Sequence, residues 1–186
     1  MIDIQIADEQ CPSRLDIHDG VAVWDNNQLG VEGRDIFGYN LNTGQAFTLT
    51  NRPGHQVRAQ TDGDWVVYKD KIENGAREQL YAHNLATSEE WVLGQTWQSL
   101  SNMEYDYYDL DAGRVVWLGA NSQIHLTNLS TRQDQVLTAV PADCHPALLL
   151  LSGDILIGGC GSLGYDLAQD VLFSLPLLPP DFSGQS

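Results

Sequence analysis

The stretch Asp35–Thr50, "DIFGYNLNTGQAFTLT", holds two short runs of alternating apolar and polar residues joined at "NLNTG". A period of two marks a half-buried β-strand, and Asn with Gly at a join is turn chemistry. The stretch therefore reads as a hairpin. Looser copies lie at 79–94, 123–138 and 162–175.

Two anchors carry the repetition outward. One is a Gly-led apolar run ending in a large residue: "DGVAVW" at Trp24, "DGDWVVY" at Tyr68, "AGRVVW" at Trp117 and "SGDILI" at Ile157. The other is Asn-Leu or Asp-Leu: Asn40-Leu41, Asn84-Leu85, Asn128-Leu129 and Asp166-Leu167. Steps between these Asn or Asp positions are 44, 44 and 38 residues, the size of a four-stranded propeller blade. The units run at about 13–56, 57–105, 106–145 and 146–178, followed by a tail at 179–186. Each reads as four short strands, and no segment sustains a 3.6-residue apolar period. The expected fold is all-β: a propeller of about four four-stranded blades, alone or within a larger ring.

The Asn of each "NL" step suits a side-chain cap on the turn between third and fourth strands. Asn128-Leu129-Ser130 also fits a glycosylation acceptor, but Asn40 and Asn84 hold the same slot without one, which favours the cap. The shared slot of Trp24, Tyr68 and Trp117 points to packing between repeats rather than to sugar stacking. Residues 2–6, "IDIQI", alternate like a spare fourth strand. Such a strand closes the ring edgewise, belongs to a larger propeller, or pairs with a second chain.

The repeat sequence, "DGVAVWDNN" followed by "RDIFGYNLNTGQAFTLTNRPGHQ", resembles TolB-like β-propeller repeats over residues 13–175, with unit four departing most. The resemblance implies a fold and an extracytoplasmic, periplasmic or cell-surface setting; it implies no activity. No secretory signal is visible at the N-terminus, and a cytoplasmic setting stays open.

With 9 Lys+Arg against 25 Asp+Glu, the formal net charge is −16. That balance opposes nucleic acid and anionic lipid surfaces. The longest apolar run, Ala147–Leu151, is far short of the ~18 residues of a membrane span. No G-x-S-x-G, H-E-x-x-H, P-loop or EF-hand pattern occurs, so neither catalysis nor a metal or cofactor is expected.

Long loops on a rigid scaffold are where binding concentrates. The two-to-three loops "DNNQLGVEGR" and "KDKIENGAR", with the four-to-one loops, present Asn26, Asn27, Arg52, His55, Lys69, Asp70, Lys71, Trp97 and His145 on one face. Trp97 stands out because no other unit carries its equivalent. His83 and His125 fall at different third-strand slots and form no ring of ligands. Cys144 and Cys160 lie on one face of unit four and are compatible with a disulfide. Cys11–Cys160 is a second pairing, and free thiols are the third option.

The expected function is a non-catalytic binding or assembly module. Its partner is a protein or other macromolecule, a second propeller-forming chain or another copy included. The alternative is a carbohydrate-binding or glycan-processing domain of lyase or glycosidase type.

Overall fold

The computed structural model describes residues 14–27, 33–72, 77–96, 107–139, 149–158 and 163–174. The expectations placed on residues 2–6, Cys11, Trp97, Cys144, His145, Cys160 and 179–186 lie outside them. The chain divides into two compact units, residues 1–98 and 99–186. Every regular element among the described residues is a strand, and no helix there is long and apolar enough to cross a membrane.

The first unit holds repeat one, β1 (Leu15–His18), β2 (Val21–Asn27), β3 (Gly33–Asn40) and β4 (Gln45–Thr48). It also holds repeat two, β5 (Gly54–Thr61), β6 (Trp65–Ile72), β7 (Arg77–Asn84) and β8 (Glu90–Gln95). The second unit holds repeat three, β9 (Tyr108–Asp111), β10 (Arg114–Leu118), β11 (Gln123–Asn128) and β12 (Gln133–Ala139). Repeat four is β13 (Leu149–Ser152), β14 (Ile155–Gly158), β15 (Leu163–Asp166) and β16 (Val171–Ser174). Within each repeat the strands pair antiparallel in chain order. A short parallel pairing of Gly33 with Gly54 and of Arg34 with His55 joins β3 to β5.

The turns behave as their residues demand. Asp19–Gly20 and Ala112–Gly113 both hold positive φ, which closes two-residue hairpins with the twist of the strands. Asn40 Oδ1 accepts from the amides of Asn42 and Thr43 at 2.9 and 3.0 Å. Asn84, Asn128 and Asp166 accept in the same way from the turns that follow them.

Cross-strand register sharpens the repeat. Trp24 faces Phe37, Tyr68 faces Tyr81 and Trp117 faces His125, each three residues before its Asn. All three pairs are stacked, with centroids 6.5, 5.6 and 4.2 Å apart. In repeat four the slot belongs to Gly158, facing Leu163, and not to Ile157. The hairpin there is Gly153-Asp154 rather than Asp-Gly, so counting from the glycine lands one residue early.

The core of the first unit is Val21, Val23, Ile36, Ala59, Val66 and Tyr68, with Phe47, Leu49, Tyr81 and Leu85 packed on it. Two aromatic caps recur: a Cβ on Gly38 would strike the Phe47 ring, and one on Gly164 the Phe173 ring. First strands are tied to the next repeat by carboxylates. Asp16 accepts from the Thr61 amide at 2.7 Å in the first unit. In the second unit, Asp109, which holds the same register slot, accepts from Leu151 at 2.7 Å.

Candidate functional site

Charged residues of repeat two converge on Arg52, in the loop between β4 and β5. Its Nε donates to Asp70 at 2.9 Å, one terminal nitrogen to Glu90 at 2.7 Å and the other to the Tyr68 hydroxyl at 2.8 Å. The guanidinium carbon lies 4.5 Å from the Tyr81 ring centroid. Tyr68 Oη donates a short hydrogen bond to Glu90, and His83 Nδ1 lies 3.4 Å from the same carboxylate oxygen. Gln56 Nε2 donates to the other oxygen of Asp70 at 3.1 Å. The Arg52 side chain is 33% exposed, that of Asp70 4%.

This geometry is satisfied at nearly every position. Arginine presents a planar fork, and here the fork serves two carboxylates and a phenol while its face lies on an aromatic ring. Burial pulls the guanidinium down, but its bond to Glu90 and the charges of Glu90 and Asp70 leave it held more firmly protonated than usual. Burial also raises Glu90, yet the bonds from Tyr68 and Arg52 prevail and its carboxyl ends below the ordinary range. Tyr68 is pushed well up, by burial first and by its bond to Glu90 second. The cluster locks the loop ahead of β5 onto β6 and β8.

Of the expected binding-face residues, several leave the loops. Lys69, Asp70 and Lys71 belong to β6, which continues to Ile72 opposite Arg77. Lys69 and Asp70 are buried, which corrects their placement on an open loop. The apolar alternation ends at Tyr68, but the strand goes on because its charges find partners. Lys69 and Lys71 each lie 3.6 Å from Glu78, and Asp70 meets Arg52. Arg52 itself is committed to the network above. β2 likewise runs on to Asn27, so Asn26 is a strand residue facing Asp35.

The structure does bring part of the expected face together. Asn27, Arg34, His55, Lys71 and Glu78 are successive cross-strand neighbours at one end of the sheet of the first unit. His55 is exposed there. Behind the row, buried Asp25 pairs with Arg34 at 3.0 Å and accepts from the Arg58 amide at 3.2 Å.

Reading the sequence missed Tyr81, His83 and Glu90 as members of one cluster. A signal was available: Glu90 stands six residues after Asn84, and Asp134 six after Asn128. An acid recurring in one fourth-strand slot implies donors above it. In repeat three those donors are Thr127, at 2.6 Å, and His125 Nδ1, at 2.7 Å.

No family profile and no curated protein sequence matches the chain. Solved structures do. A chain of a nidogen–laminin complex aligns at TM-score 0.57 and 16% identity over 88% of this chain and 62% of its own. The N-terminal domain of Nup159 aligns at 0.51 and 11% identity over 78% of this chain and 38% of its own. TolB from Acinetobacter baumannii aligns at 0.48 and 15% identity over 85% and 41%. In each case the chain spans less than two thirds of the other's length. With its four-stranded antiparallel repeats, the chain has an all-β propeller fold.

Proposed function

We propose that this chain is a non-catalytic propeller module that assembles with a protein through the sheet faces of its terminal repeats, another copy of itself included. One observation carries the reading. β1 turns Asp16 toward repeat two and Leu15 and Ile17 to the opposite face, where they are 52% and 55% exposed. Repeat four supports it. Leu150, Ile155 and Val171 share one face of its sheet by register, and all are exposed. The equivalent face of repeat one is covered by repeat two, with Val21 and Val23 buried. Apolar side chains clustered on a sheet face cost little when a partner covers them and invite association when none does.

Two of the similar structures are protein complexes: nidogen with laminin, and Nup159 with Dbp5 and Gle1. They lend the fold a precedent for protein binding. The resemblance of its repeats to TolB-like ones supports an extracytoplasmic setting. Sedimentation equilibrium tests the assembly reading. The wild-type chain is expected to self-associate with a concentration-dependent mass, and Leu15→Glu with Ile17→Glu to lower that mass while circular dichroism stays unchanged. A wild-type chain that is monomeric at every concentration and captures no protein in pull-downs, or a double variant with undiminished association, overturns it.

A further inference from the structure

Repeats one and two leave a groove of about 670 Å³ between them, inside the first unit. Its floor is apolar: Val21 and Phe47 from repeat one, Leu49 after β4, and Leu85 from repeat two. One wall is β4; the other is Asp64 with the end of β7 and the turn beyond it. Thr48, Asp64 and Ser88 on the rim are exposed, so the groove opens to solvent.

Two features select the occupant. Among the described residues β4 pairs only with β3. The Leu49 amide donates to the Ile36 carbonyl at 2.8 Å, and an antiparallel ladder alternates inward and outward peptide groups. That phase turns the N–H and C=O of Ala46 and Thr48 away from β3. Among the described residues neither amide has a partner, which leaves a template for an added strand along the groove wall. The second feature is charge. The Asp64 carboxylate stands exposed at the rim without a partner among the described residues, on a chain of net charge −16.

We propose that this groove binds an extended polypeptide segment in which a basic residue neighbours an apolar one. The segment adds to the open edge of β4, sets its apolar side chain over Phe47 and Leu85, and places its cation beside Asp64. Backbone pairing supplies affinity and the two pockets supply selectivity. This goes beyond assembly through the terminal faces and has a separate readout, since it concerns peptide affinity and not the mass of the chain.

A display library of random linear peptides is selected on the wild-type chain, and the selected peptides are measured by fluorescence polarisation. Thr48→Pro removes one outward N–H and leaves the β3–β4 bonds in place, so the sheet tolerates it. It is expected to weaken binding about tenfold or more, and Asp64→Lys about fivefold. Hydrogen exchange on the wild-type chain keeps the test sharp if Thr48→Pro misfolds: the Ala46 and Thr48 amides are expected to slow when peptide is bound. A library that yields no binder, peptides indifferent to both variants, or unchanged exchange at those amides overturns the proposal.

Discussion

In repeat two the second-strand aromatic is Tyr68, stacked on Tyr81; in repeat three it is Trp117, stacked on His125. Both hand a hydrogen bond toward an acid in the same slot of the fourth strand. Tyr68 donates to Glu90 directly. Trp117 Nε1 donates to Thr127 at 3.0 Å, and the Thr127 hydroxyl donates to Asp134 at 2.6 Å. The difference lies in the remaining donors. Repeat two brings in a guanidinium from the preceding loop, while repeat three uses a threonine and an imidazole of its own strand. Repeats two and three thus share the place of an acid, and each of the two finds its own way to satisfy it. A cation drawn from outside the four strands makes repeat two depend on its connection to repeat one.

Arg52→Met tests that dependence and carries the largest expected effect. It leaves Asp70, almost fully buried, and Glu90 without their cation. Breaking such a pair by removing one partner costs about 3–5 kcal/mol when both are buried. A third of the Arg52 side chain is in water, so the expected loss is about 2–3 kcal/mol, read from urea unfolding. A companion variant adding Asp70→Asn and Glu90→Gln is expected to recover part of it. A loss below about 0.5 kcal/mol would mean the network is no more than a surface ion pair, and the contrast with repeat three would collapse.

Thr127→Val probes the other side of the comparison. It leaves the buried Trp117 N–H without its acceptor and removes one donor from Asp134. About 1–2 kcal/mol is expected, less than for Arg52→Met because no charge loses a countercharge inside the sheet. If Thr127→Val cost more than Arg52→Met, the neutral link would be the stronger one and the ranking drawn here would be reversed.

Strand existence was legible because period-two alternation and the Asn-Leu step repeat. All sixteen strands of the described residues fall where those signals put them. Strand ends were not legible wherever charged residues continue a ladder. Lys69, Asp70 and Lys71 look like loop residues on composition and are strand residues because Glu78 and Arg52 stand opposite or beside them. The cluster escaped for a related reason. Arg52, Tyr68, Tyr81 and Glu90 come from four segments, and the pairing of β6 with β5 and β7, and of β7 with β8, brings them within bonding distance. A linear pattern records slots, and it does not record which side chains from different slots point at each other.

Acid sharpens the comparison with the smallest of the three effects. Glu90 has a folded-state pKa below its unfolded value, so its contribution is complete above the unfolded value, about 4.3, and fades as pH falls through the folded one. Wild-type stability is therefore expected to fall below roughly pH 4 as Glu90 takes up a proton and its bonds from Tyr68 and Arg52 weaken. Burial opposes this state, and Arg52 supplies both a hydrogen bond and a charge that favour it. Removing Arg52 leaves burial in place and deletes those two supports, so the Glu90 carboxyl must rise. Unfolding curves of Arg52→Met against pH are then expected to begin their acid decline at a higher pH than wild type, with the ¹³C shift of the Glu90 carboxyl moving the same way. Parallel acid profiles for the two proteins would show that Tyr68 and His83 hold Glu90 unaided, and that the arginine of repeat two is, like the threonine of repeat three, only one donor among several.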